Sequence, residues 1–178
     1  DRIRKAVRGV AKAINGGCPT RPVITATGDY EPALINAAQN LEALTQRITS
    51  NPSLRNFSLC LHGAPGTGKS AFVRPLAGQM GIEVIQKRAS DLMSMWVGMT
   101  ERNIAAAFEE ASEREAFLIL DEADSLLRDR RDAFRSWEIT QVNEMLTWME
   151  VHPQPFACTT NLMENLDAAS LRRFTFKV

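Results

Sequence analysis

Apolar positions change their period along this chain, and the changes mark out its elements. Ile3, Val7, Val10 and Ile14 recur at helical spacing among Arg2, Arg4, Lys5, Arg8 and Lys12, which predicts a short basic amphipathic helix. Gly16-Gly17-Cys18-Pro19 and Arg21-Pro22 punctuate the chain. Leu34, Ala38, Leu41 and Ile48 then mark a second amphipathic helix, entered at Pro32.

From Phe57 the rhythm alternates between strand and helix. A strand to His62 precedes a glycine-rich turn, a helix from Lys69 to about Met80 and a strand from Ile82 to about Lys87. After a helical turn at 90–94, Thr100 is placed to cap a helix whose buried face is Ile104, Ala107, Phe108 and Ala111. The continuous apolar run Phe117-Leu118-Ile119-Leu120 reads as a central strand, since only a strand covered on both faces is apolar at every position. A polar segment at 128–136 leads into a helix with Ile139, Val142, Leu146 and Met149 on one face. Pro153 and Pro155 then introduce a strand from Phe156 to Thr160. Strands alternating with helices predict an α/β fold around a parallel sheet, preceded by a short helical N-terminal segment at residues 1–30.

Composition narrows the setting. The 178 residues, 44% hydrophobic, suffice for one substantial core. Lys plus Arg balance Asp plus Glu at 21 each, so no global charge excess advertises nucleic acid or an anionic membrane. No apolar run approaches the ~20 residues of a membrane span. Cys18, Cys60 and Cys158 are scattered without a Cys-x-x-Cys pair, which argues against a disulfide framework or structural zinc and favours a reducing, cytoplasmic setting. The first residue is Asp1 rather than Met, as expected of a fragment. His62 and His152 are single and read as structural, and no His-Glu-x-x-His pattern occurs.

The strongest chemical signal is Gly63-Ala64-Pro65-Gly66-Thr67-Gly68-Lys69-Ser70, a G-x-x-x-x-G-K-[ST] loop between a predicted strand and a predicted helix. Its glycines let successive N–H groups turn towards phosphate oxygens, and the following helix dipole adds to that field; Ala71 continues the nucleotide-binding stretch. Lys69 is expected on the β and γ phosphates of ATP, and the Ser70 hydroxyl on Mg²⁺. Asp121 and Glu122 follow the apolar run and so emerge at the carboxyl end of a strand, where α/β sheets place ligands. Asp121 would hold Mg²⁺ through its water shell and Glu122 would activate the attacking water, although an Asp in this position also suits a helix cap.

With these pieces aligned, residues 31–178 resemble the large nucleotide-binding subdomain of AAA+ ATPases, through 61–70 and Leu118-Ile119-Leu120-Asp121-Glu122-Ala123-Asp124. The resemblance implies a P-loop NTPase three-layer sandwich and, in the full-length protein, a ring, expected to be a hexamer. Thr159-Thr160-Asn161 lies where the family carries its first sensor, which implies that Asn161 positions water and senses the γ-phosphate. Leu171-Arg172-Arg173-Phe174 is similar to the spastin- and katanin-like group, in which both arginines face the neighbouring subunit's ATP. Arginines supplied in trans can be worth about 10³ to 10⁵ in rate; away from that context an Arg pair reads as solvated surface.

Met95-Trp96-Val97-Gly98 resembles the aromatic-hydrophobic-Gly pore loop of AAA+ proteins that thread polypeptides, which implies that Trp96 and Val97 grip a substrate chain. On composition alone a Trp beside Met reads as core. The polar stretch at 128–132 falls where a second pore loop would lie, and a solvated loop explains it equally. Residues 28–35 fall where the family forms its adenine pocket but lack its usual signature, which leaves Tyr30 as the candidate there. The chain ends at Val178, ahead of where the family's helical lid would follow, so weak hydrolysis is expected of this stretch alone. The leading expectation is thus an ATP-hydrolysing subunit of a protein-remodelling ring. The alternative is a DNA- or RNA-associated AAA+ ATPase, hinted at by the basic N-terminal segment. A nucleotide-dependent scaffold is the third reading, opposed by the presence of Lys69, Ser70, Asp121, Glu122 and Asn161.

Overall fold

The computed structural model describes residues 41–51, 56–133 and 135–178. The basic helix expected at residues 3–14, the entry at Pro32 and the Tyr30 candidate lie outside the described residues. Within them the expected elements follow in order. Helix α1 is Leu41–Thr49, strand β1 Ser58–His62, helix α2 Lys69–Met80 and strand β2 Val84–Arg88. The short helix α3, Ala89–Leu92, leads to α4, Met99–Glu113, and β3, Phe117–Asp121. Helix α5 is Ser136–Val151, β4 Phe156–Thr160, α6 Ala168–Arg173 and β5 Phe176–Lys177.

The five strands form one sheet in the order β2-β3-β4-β1-β5, and every neighbouring pair is parallel. Parallel neighbours need crossovers, and the helices supply them, one layer to each face. The period-2 alternation of strand side chains decides what each face receives. Leu59, Leu61, Phe117, Ile119 and Ala157 point to one side, where α1 and α2 cover them with Leu44, Ile48, Phe72 and Leu76. Cys60, Leu118, Leu120, Phe156 and Cys158 point to the other, beneath Ile104, Phe108 and Ala111 of α4 and Met145 and Leu146 of α5. The result is the three-layer α/β sandwich expected.

The apolar run of β3 is fully buried and interior, as expected of a central strand, with β4 inserted between it and β1. Two local expectations are corrected. Thr100 does not cap α4. The helix starts at Met99, behind Gly98 at φ +83°, a left-handed conformation that costs glycine little. The Thr100 hydroxyl instead accepts the Ser94 amide at 2.9 Å, fastening the preceding loop. Ile139 does not share the buried face of α5: it is 38% exposed, and Met145, fully buried, takes that role with Val142, Leu146 and Met149.

Phe108 is the centre of the larger core. It stacks on Trp148 at 5.8 Å and meets His152 and Phe156 edge-on at 5.0 and 5.7 Å, so α4, α5 and β4 share one aromatic cluster. Among the described residues no helix is long and apolar enough to cross a membrane.

Candidate functional site: a phosphate loop beside polar and acidic strand ends

The sheet order determines which residues can meet. Because β4 lies between β1 and β3, the carboxyl ends of the three strands stand side by side, with His62 opposite Thr160 and Leu120 opposite Cys158. The ladder extends one step further, as the Gly63 amide donates to the Thr160 carbonyl at 3.3 Å. The loop after β1, the Asn161 turn after β4 and the Asp121-Glu122 pair after β3 therefore crowd onto one edge of the sheet. Strand order reverses at this edge, the place where open α/β sheets bind ligands.

The loop itself is shaped by its glycines. Gly68 sits at φ +78° as the residue before α2, and no side chain caps the first turn of that helix. Its leading N–H groups are left for an anion, with the positive end of the helix dipole behind them. Residues 64–67 are exposed, Gly63, Gly68, Lys69 and Ser70 are half-buried, and Ala71 is exposed on the first turn. Pro75, inside α2, has no N–H to give the Ala71 carbonyl one turn back.

Six of the expected site residues are joined by hydrogen bonds. The Lys69 ammonium donates to the Gly63 and Ala64 carbonyls at 2.8 and 2.9 Å and to Asn161 Oδ1 at 2.7 Å. The Ser70 hydroxyl donates to Asp121 Oδ1 at 2.5 Å. Glu122 stands at the same edge, exposed, with a left-handed backbone at φ +56°. Such a conformation is unusual for a non-glycine residue and is found preferentially at functional sites.

Sequence reasoning missed the residues that hold this group in place. The Thr159 hydroxyl donates to Asp121 Oδ1 and accepts the Glu122 amide, both at 3.1 Å, so one β4 side chain fixes both acidic residues. Gln86 on β2 donates its amide to Asp121 Oδ2, and Arg74 on α2 holds the Gln86 carbonyl oxygen. Thr159 was visible in its Thr-Thr-Asn context. Gln86 gave one signal, a polar residue within a predicted strand.

The remaining expected residues lie apart from this cluster. Arg172 is exposed on α6 and touches the Ala168 carbonyl of its own helix at 3.3 Å. Arg173 is half-buried, donates to the Ala169 carbonyl at 3.0 Å and pairs with Glu150 of α5. The two arginines thus differ: one open to solvent, the other engaged within the chain. Trp96 and Val97 are 71% and 78% exposed, so the core reading of that tryptophan fails. Their loop is nonetheless tied down, with the Trp96 amide donating to the Ser94 hydroxyl at 3.2 Å and the Met99 amide to the Trp96 carbonyl at 3.2 Å.

The segment after β3 is pinned to α6. Arg130 donates through Nε to Asp167 Oδ2 at 2.8 Å and through Nη1 to Asn143 at 2.9 Å, while Asp167 caps α6 by accepting the Ala169 amide at 2.8 Å. Burial raises the Asp167 carboxyl's pKa, but bonds and charge from Arg130 outweigh it and leave the group below its usual range. At 129, the Arg131 side-chain bond holds the half-buried Asp129 carboxyl down to about 2. The sheet interior is the opposite case: burial lifts the Cys60 thiol to about 11 and pushes Cys158 well above the usual thiol range, which disfavours the thiolate at both.

An all-parallel sheet with a phosphate loop, Asp121-Glu122 and Asn161 on adjoining strand ends defines a P-loop nucleotide-binding domain. Residues 59–178 match the model of the ATPase family associated with various cellular activities (AAA), and the chain belongs to that family. It is similar to the uncharacterized protein ORF529 of Acidianus two-tailed virus, 36% identical over 135 residues, covering 67% of this chain and 26% of that protein. It is also similar to the nuclear valosin-containing protein-like of Mus musculus, 32% identical over 119 residues, covering 64% and 14%. A probable spastin homolog of Brugia malayi is 31% identical over 165 residues, covering 82% and 36%. The chain spans between 14% and 36% of the length of these three relatives.

Proposed function

We propose that this AAA domain hydrolyses ATP as one subunit of a ring, a hexamer in the full-length protein, that threads or remodels polypeptide substrates. The exposed apolar loop carries the threading part: Met95, Trp96 and Val97 are 89%, 71% and 78% exposed on a backbone held by hydrogen bonds. Burying such side chains against a substrate is worth about 1.5–3 kcal/mol for an aliphatic group, without reading sequence.

The catalytic roles follow from position. Lys69 neutralises β- and γ-phosphate oxygens and, through its bond to Asn161, brings a neutral amide to the γ end. Glu122 accepts a proton from the water that attacks the γ-phosphorus, while the bond from that phosphorus to the ADP oxygen breaks. Ser70 and Asp121 present a hydroxyl and a carboxylate within hydrogen-bonding distance, a hard-oxygen pair suited to Mg²⁺ and its waters. Bound there, Mg²⁺ would neutralise charge on the phosphate oxygens. Arg172, exposed and unpaired with any carboxylate in the described residues, is the better placed of the two arginines to reach a neighbour's nucleotide; Arg173 would first leave Glu150.

The DNA- or RNA-associated alternative rests on the basic N-terminal segment, which lies outside the described residues. The full-length protein carrying Trp96→Ala tests the threading role. Its ATP turnover is expected to persist while unfolding of a tagged substrate falls at least about tenfold, the loss of roughly one buried aromatic's binding energy. Substrate unfolding at the wild-type rate would remove threading from the account.

A further inference from the structure

Beyond Asp121 the chain turns through Glu122 into a single 3₁₀ turn, Ala123–Ser125. That turn sends the Asp124 side chain back to the end of β4. Its Oδ1 accepts the hydroxyl of Thr160 and, at 3.4 Å, the backbone amide of Leu162. The Thr160 hydroxyl also accepts the Leu162 amide at 3.0 Å. The contacts therefore grip the residues on both sides of Asn161 and leave the Asn161 side chain exposed, its Oδ1 accepting from Lys69.

Thr160 is 1% exposed, so its hydroxyl needs a partner, and within the sheet edge it has Asp124. An exposed asparagine at a strand end would otherwise sample several turn conformations. Two bonds closing on one carboxylate oxygen remove that freedom.

We infer that Asp124 is a positioning residue for Asn161: it sets the turn after β4 so that the Asn161 amide faces the phosphate loop and distinguishes a γ-phosphate from its absence. This rests on the proposed role of Asn161 at the γ-phosphate. Asp124 touches no reacting atom. It transmits to the sensor turn the position of the strand end that carries Asp121 and Glu122, so the sensor and the hydrolytic residues share one frame.

The test measures affinities of the full-length protein for ADP and for a non-hydrolysable ATP analogue by calorimetry, with Mg²⁺ present, beside thermal melting without nucleotide. Asn161→Ala is expected to lower the preference for the triphosphate by about tenfold, the worth of one hydrogen bond to a charged group. Asp124→Leu should lower it to a similar extent, and Asp124→Asn, which keeps an acceptor oxygen, should restore most of it. In the Asn161→Ala background Asp124→Leu should change nothing further, because residues acting through one another are not additive. Thr160→Val removes the same bracket from the other side and serves if Asp124→Leu melts too low to assay. Additive losses, or an unchanged preference in both Asp124→Leu and Thr160→Val while Asn161→Ala loses it, would overturn the positioning role alone. An unchanged preference in Asn161→Ala would overturn the sensor role and the inference with it.

Discussion

Replacing Arg130 with alanine tests how the segment after β3 is joined to the helix that carries the arginine pair. The Asp167 carboxylate is 7% exposed, and Arg130 gives it bonds from Nε and Nη2 and a third from its own backbone amide at 3.3 Å. Stranding a fully buried charge costs about 3–5 kcal/mol, whereas an exposed pair is worth no more than about 1. Arg130 is 37% exposed, and Asp167 keeps the Ala169 amide, so the variant falls between these limits, at about 2 kcal/mol. In a domain of this size that lowers the melting temperature by about 4–8 °C, readable by circular dichroism.

The pH dependence supplies a second check. The folded pKa of Asp167 lies below its ordinary value, so its stabilisation is present above that ordinary value, about 3.9. It is lost as pH falls through the lowered folded value. The gap between wild type and Arg130→Ala should therefore close at the acid end. A shift under about 1 °C at neutral pH, or a gap that persists undiminished at pH 2, would refute the reasoning.

Two further outcomes follow from buried groups. His152 is 1% exposed between Phe108 and Phe156 with neither ring nitrogen hydrogen-bonded, and burial pushes its pKa down to about 4. Its folded value lies below the unfolded one of about 6.5, so stability present above that pH is lost towards pH 4; His152→Phe should remove this slope from melting curves, and an unchanged slope would contradict it. Cys60 and Cys158 should resist alkylation at pH 8 until the protein unfolds, and prompt labelling of the native state would show that the sheet is less closed than described.

The sequence announced the elements because their periods are local properties. The run Phe117 to Leu120 coincides with a strand because a strand covered on both faces is apolar throughout, and Phe156 to Thr160 was marked as a strand by the prolines ahead of it. The phosphate loop was legible because its chemistry depends on consecutive residues. Strand order was not legible, since the place of β4 between β1 and β3 is set by packing across the sheet. The contacts that depend on that order were hidden with it: Thr159 and Gln86 on Asp121, and Asp124 around Asn161. Ile139 failed for a related reason, because helical spacing identifies a stripe and the neighbours of α5 decide where the stripe ends.

The most direct test of the proposed ring ATPase is turnover of full-length Glu122→Gln and Arg172→Ala proteins, alone and mixed in equal amounts after subunit exchange. If each active site combines Glu122 of one subunit with Arg172 of the next, each variant alone is nearly inactive. The mixture should then recover about a quarter of wild-type turnover, because random assembly restores that share of complete sites. A mixture no more active than the average of its two components would contradict catalysis shared between subunits.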